Sequence, residues 1–90
     1  MRRVYKYTLP VVDVAITLEL PRGYKILSYG HQGDPQTVFV WIEVNPEVEE
    51  LVEKTFYVFG TGHDIKDDSL KFVATVNIRF FGLVWHIYES

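Results

Sequence analysis

The run Val38-Phe39-Val40-Trp41-Ile42-Glu43-Val44 constrains this chain most. Side chains alternate along a strand, so Val38, Val40, Ile42 and Val44 make one row and Phe39 and Trp41 make the other. Both rows are apolar. A strand apolar on two faces is central in its sheet, or its second face is covered by something else. Either the chain places neighbours on both edges of this segment, or a partner covers its second face.

The segments around it read the same way. Val4 to Leu9 is β-branched and aromatic and stops at Pro10. From Val12 to Leu20 the alternation is strict: Val12, Val14, Ile16, Leu18 and Leu20 against Asp13, Ala15, Thr17 and Glu19. Pro21-Arg22-Gly23 is a turn, Tyr24 to Tyr29 a third strand, and Gly30 to Pro35 a loop. Asn45-Pro46-Glu47 has the form of a helix start, but Leu51 onward runs into strand residues, so the spacing predicts one short helical turn at most. Thr55 to Phe59 is a fifth strand. Leu70 to Arg79 is a sixth, with Leu70, Phe72, Ala74, Val76 and Ile78 in one row. Phe80 to Tyr88 is a seventh, and Gly82 within it marks a bulge or a close backbone approach. The sum is a mainly β, single compact domain over residues 1–90: an antiparallel β-sandwich or open barrel of about seven strands with at most one short helix.

Composition bounds the function. Six Tyr, six Phe and two Trp in 90 residues exceed what one thin core encloses, which points to an oligomer interface or a ligand platform on a second face. A net charge of −3 argues against a general nucleic-acid binder. The chain has no cysteine, so disulfides, thiolate metal sites and a Cys nucleophile are excluded. No apolar run approaches the roughly 18 residues of a membrane-spanning helix, and the reading is of a soluble cytoplasmic protein with no membrane partner.

The densest group of chemically capable side chains is Phe59-Gly60-Thr61-Gly62-His63-Asp64. Its functional reading is a glycine-lined loop whose N–H groups face an anion, with Thr61 and His63 as donors. Its plainer reading is a tight turn that satisfies its own backbone. It lacks a phosphate-loop lysine and βαβ surroundings, so no nucleotide fingerprint applies. His31, His63 and His86 with Asp34 or Asp64 are the available metal ligands, but their spacing is not that of a metal site. Ser28 and Ser69 have no nucleophile elbow, and neighbouring His63 and Asp64 do not face one another as a triad requires. No catalytic residue, metal or cofactor is expected. Trp41 and Trp85 are the leading candidates to stack on a base, with Tyr5, Tyr29, Tyr57 and Tyr88 behind them. His86 stands beside Trp85, and Arg79 and Arg3 are the leading candidates to hold phosphate, ahead of Arg22 and Lys25. Core and interface packing is the competing account of each aromatic.

Several segments together resemble a small, uncharacterised family of bacteriophage and prophage proteins of about this length. They are Val4-Tyr5-Lys6-Tyr7 with Leu9-Pro10-Val11; Leu20-Pro21-Arg22-Gly23 with Lys25-Ile26-Leu27; Val38 to Trp41 with Val44-Asn45-Pro46; Phe59-Gly60-Thr61-Gly62-His63; and Gly82-Leu83-Val84-Trp85-His86-Ile87-Tyr88. Asp64 stands where the family pattern has proline. The resemblance implies a phage accessory protein in the host cytoplasm, a homo-oligomer that sequesters a small anionic, nucleotide-like immune signal without turning it over. The alternatives are a protein–protein inhibitor that docks a host enzyme through the acidic stretch Glu43 to Glu53, and a small nucleotide hydrolase using His63.

Overall fold

A computed structural model describes residues 1–11 and 15–90. Seven strands lie in chain order: β1 Arg3–Pro10, β2 Ile16–Pro21, β3 Lys25–Gly30, β4 Thr37–Val44, β5 Leu51–Gly60, β6 Lys71–Ile78 and β7 Leu83–Glu89. They form two antiparallel sheets, a small one ordered β1-β4-β3 and a large one ordered β2-β5-β7-β6. The sheets share no strand among the described residues, so the architecture is a sandwich rather than a barrel. The molecule measures 40 × 30 × 16 Å, the thickness of two packed sheets. No helix among the described residues is long and apolar enough to cross a membrane.

β4 is central in its sheet, one of the two arrangements its apolar rows allow. Val38, Val40, Ile42 and Val44 point into the sandwich and are buried, while Phe39 and Trp41 lie half-buried on the outer face. The opposing layer supplies Leu20, Phe56, Val58, Val76, Ile78 and Ile87, and β1 adds Leu9. Phe56 is fully buried and meets Tyr29 edge-on, with ring centroids 6.2 Å apart. Removing a side chain of this size from water contributes about 1.5–3 kcal/mol.

Residues 45–50, where at most one short helical turn is expected, hold a turn and no helix: the Asn45 side-chain carbonyl accepts from Glu47 N–H at 3.1 Å, and this Asx turn competes with helix initiation. Strand limits and one register differ from the expectation. β5 begins at Leu51, four residues before the expected start. The strand expected from Val12 is seen from Ile16; its first three residues, Val12, Asp13 and Val14, lie outside the described residues. In β6 the register shifts between Phe72 and Ala74, so Val73 is an extra residue and Phe72 moves to the outer face opposite Tyr88. Arg79 and Phe80 belong to neither flanking strand. Arg79–Phe81 form one turn of 3-10 helix, capped by Gly82 at φ 64°, a left-handed conformation that glycine adopts without strain.

Candidate functional site

Strand direction sorts the side chains between the two ends of the sandwich. β4 starts and β5 finishes at one end, beside the 30–36 loop, the Gly60-Thr61-Gly62-His63 turn and the Arg79–Gly82 turn. Four of the residues expected from the sequence, Thr61, His63, Trp85 and Arg79, are brought together at this end, with His86 tied to it through Thr61. Trp41 and Arg3 are not. Trp41 lies on the outer face of the small sheet, where its ring covers Gly30; a Cβ on Gly30 would sit 3.2 Å from Trp41 Cζ3. Arg3 pairs with Val44 at the opposite end, and its guanidinium donates to the Tyr5 hydroxyl at 3.4 Å. Arg3 and Pro10 are the two ends of the eight-residue β1, about 23 Å apart at the usual rise of roughly 3.3 Å per residue.

The 60–63 turn is closed twice. His63 N–H donates to the Gly60 carbonyl at 3.1 Å, and Gly60 N–H donates to His63 Nδ1 at 3.3 Å. An accepting Nδ1 carries no proton, which leaves Nε2 as the donor of the His63 ring. Gly62 has φ 87°, the positive value a type II turn needs at its third position. Gly60 is obligatory for a different reason: a Cβ there would fall 2.9 Å from His63 Cε1 and 3.2 Å from Trp85 Cζ3. Thr61 turns back onto the sheet and meets His86 Nε2 at 2.9 Å, while Thr75 meets His86 Nδ1 at 3.1 Å. Both imidazole nitrogens of His86 are thus held by hydroxyls, which can donate or accept as its tautomer requires. His86 is a strut between the turn and β6.

Trp85 faces inward. Its indole N–H donates to the Pro35 carbonyl at 3.0 Å and so fixes the loop before β4. Asp34 reinforces that loop by accepting from Gln36 N–H and from the Thr37 hydroxyl, each at 2.8 Å. These bonds, the backbone one first, hold the Asp34 carboxyl below its ordinary pKa. Asp67 is held low in the same manner by the Ser69 hydroxyl and then by the Ser69 N–H. Ser69 is therefore a turn residue, and Ser28 lies opposite Trp41 on the small sheet.

Clefts open at this end. One of about 350 Å³ is lined by His31, Gly33, Asn77, Arg79, Phe80 and Phe81. A second, of about 430 Å³, is lined by Thr61, His63, Gly82 and Trp85 among others, and a third of about 480 Å³ by Phe59, His63, Asp64 and Lys66. In the first, Phe80 is fully exposed and Phe81 is 56% exposed. Arg79 has no carboxylate partner among the described residues, whereas Arg22 is paired with Glu50 at 2.7 Å and Arg2 with Glu43 at 3.4 Å.

Across residues 1–90 the chain matches the family described as Domain of unknown function (DUF7352). The chain belongs to this family. No curated protein and no solved structure matches it.

In this DUF7352 chain the Arg79 cleft was not legible as a unit. Phe80 and Phe81 read as strand residues because aromatics favour strands, and His31 stood out only as a metal ligand. The available signal was Gly82, a residue that lets the chain reverse directly after an aromatic pair. Among the described residues no three His, Asp or Glu side chains are grouped to hold a metal ion. What the DUF7352 site combines is an exposed guanidinium, an imidazole, a carboxamide and two exposed phenyl rings. That set can bind a planar anion by stacking and a bidentate charge-assisted contact.

Proposed function

We propose that this DUF7352 protein is a binding domain that holds a small anionic, nucleotide-like ligand without turning it over, and that the ligand enters the cleft between the 31–33 loop and the Arg79–Phe81 turn. One observation carries this reading: an arginine with no ion pair among the described residues stands with two exposed phenylalanines on a cavity of about 350 Å³, within the roughly 300–1,000 Å³ usual for ligand pockets. Arg79 takes the phosphate, Phe80 or Phe81 stacks on the base, and Asn77 and His31 supply polar contacts to its edge. The likeness to phage and prophage proteins extends the reading: such a domain acts in the host cytoplasm as an accessory protein, sequestering an immune signal in a homo-oligomer. Isothermal calorimetry against cyclic dinucleotides and ADP-ribose derivatives tests it. Binding that is lost in Arg79→Ala supports the reading, and silence from every compound at tens of micromolar removes it.

A second reading rests on the opposite end. Glu47, Glu49 and Glu50 are exposed there, and a host enzyme with a basic site would dock on them. A stoichiometric protein captured by the wild type and released by charge reversal of Glu49 and Glu50 would favour this alternative.

A further inference from the structure

We infer that two copies of this chain join through β1, antiparallel about a two-fold axis at Tyr5, so that their small sheets continue into one another. This interface gives a surface to the homo-oligomer of the proposed function, and it does not depend on what the Arg79 cleft binds.

Four strands have a free edge among the described residues: β1, β2, β3 and β6. A free edge offers unpaired N–H and C=O groups to any other strand, and proteins blunt it with bulges, proline or short length. β3 breaks register between Ile26 and Ser28, and β6 between Phe72 and Ala74. β2 has six residues and ends on Pro21. β1 has eight, and it holds its register with β4 from Arg3 to Pro10 without a break. It is the one long edge described that carries no bulge.

Charge does not guard this edge either. An edge lysine usually projects its ammonium to keep a neighbour away. Lys6 Nζ instead donates to Gln32 Oε1 at 2.7 Å and stands 4.6 Å from the centre of the Phe39 ring, on the β4 side of β1. Arg2 likewise reaches Glu43 on β4 at 3.4 Å. What the edge presents is apolar. Val4 is 52% exposed, and Tyr5, although opposite buried Ile42 in the inner row, is 39% exposed.

The sequence of β1 selects the partner. Opposed residues share a face of the sheet, so a two-fold pair of β1 strands centres on one residue. Centred on Lys6 it opposes two lysines, and centred on Val4 it opposes Arg2 and Lys6; both are unfavourable. Centred on Tyr7 it sets Pro10, which has no N–H, opposite Val4. Centred on Tyr5 it sets Val4 against Lys6, Arg3 against Tyr7 and Arg2 against Thr8. No like charges are then opposed, and an arginine lies beside a phenol ring. The edge is complementary to itself, and one pairing closes it, as in a two-fold dimer.

The chain has no cysteine, so introduced cysteines report the register directly. Opposed residues of an antiparallel pair lie about 4.5–5.5 Å apart at Cα, within reach of a disulfide, and diagonal ones about 7–8 Å, beyond it. Tyr5→Cys should form a disulfide-linked dimer on mild oxidation. Val4→Cys and Lys6→Cys should link to each other when mixed, and far less to themselves. In sedimentation velocity the wild type should be a dimer. Tyr5→Lys, which opposes two cations on the axis, should weaken it about tenfold or more. Leu51→Lys, at an exposed apolar residue of the other sheet, should leave it unchanged. A wild type that stays monomeric at hundreds of micromolar overturns the interface. So does a dimer broken by Leu51→Lys and not by Tyr5→Lys, or a Val4→Cys chain that links to itself as readily as to Lys6→Cys. Nucleotide binding by a monomeric wild type would overturn the interface and leave the ligand reading standing.

Discussion

The indole N–H of Trp85 donates to the carbonyl oxygen of Pro35 at 3.0 Å, across fifty residues of chain. That bond fixes the 30–36 loop, which walls the Arg79 cleft, to the strand that walls the His63 cleft. Trp85→Phe keeps an aromatic ring and removes the pyrrole ring with its donor. The Pro35 carbonyl then loses its partner in a partly buried place, a cost of about 1 kcal/mol. In a domain of this size that lowers the melting temperature by about 4–8 °C. Thermal unfolding followed by circular dichroism checks it; a shift below 1 °C would mean the bond is dispensable.

Gly60 is the second constraint on this end. Its backbone φ is ordinary, so the barrier to substitution is space rather than strain. Gly60→Ala places a methyl group 2.9 Å from His63 Cε1 and 3.2 Å from Trp85 Cζ3. His63 must swing away or the turn must move. The expected loss is about 1–3 kcal/mol by urea denaturation, the usual penalty of overpacking. Gly62→Ala would cost through its positive φ instead, and leave the His63 ring where it is.

Tyr29 sets the behaviour at high pH. Burial first, then Glu89, then Tyr24 push its phenol from the ordinary 10.0 up to about 12. Between those values the unfolded chain has released the proton and the folded chain keeps it. The unfolded state therefore binds fewer protons, and stability falls as pH rises through this window. Urea midpoints should hold up to about pH 9.5 and decline from there to pH 12. Glu89→Gln should move the phenol titration, read by absorbance at 295 nm, to lower pH.

The same substitution tests the Lys54–Glu89 pair. Their charged atoms lie 3.1 Å apart with side chains only 18% and 23% exposed. This is neither a surface pair of little worth nor a fully buried one. Removing the carboxylate leaves Lys54 partly enclosed without its partner. A loss of about 1–2 kcal/mol is expected, and a stabilised variant would contradict it.

The sandwich was legible where one period governs a whole strand. β4 is the clearest case: two apolar rows fit a central strand or a covered second face, and the strand is central. β6 and the turn after it were not. A single inserted residue at Val73 reverses the faces before it, and nothing in the alternation of Phe72 and Ala74 marks that insertion. Arg79, Phe80 and Phe81 have strand-forming side chains, yet the turn forms because β6 must reverse into β7 within four residues. Thr61, His63 and Trp85 line one cleft, but their grouping with Arg79 depends on which strand ends coincide. Trp41 and Arg3 were candidates by residue type alone, and strand direction sends them elsewhere.

The most direct test of the proposed site is a comparison of wild type with Arg79→Ala by calorimetry against the nucleotide panel. Arg79 is exposed and makes no ion pair among the described residues, so its removal should leave the melting temperature within about 1 °C. The expected result is a ligand bound by the wild type and weakened at least about tenfold by the substitution, the scale of a lost charge-assisted contact. A ligand held equally well by both proteins would place its site away from Arg79 and contradict the proposal.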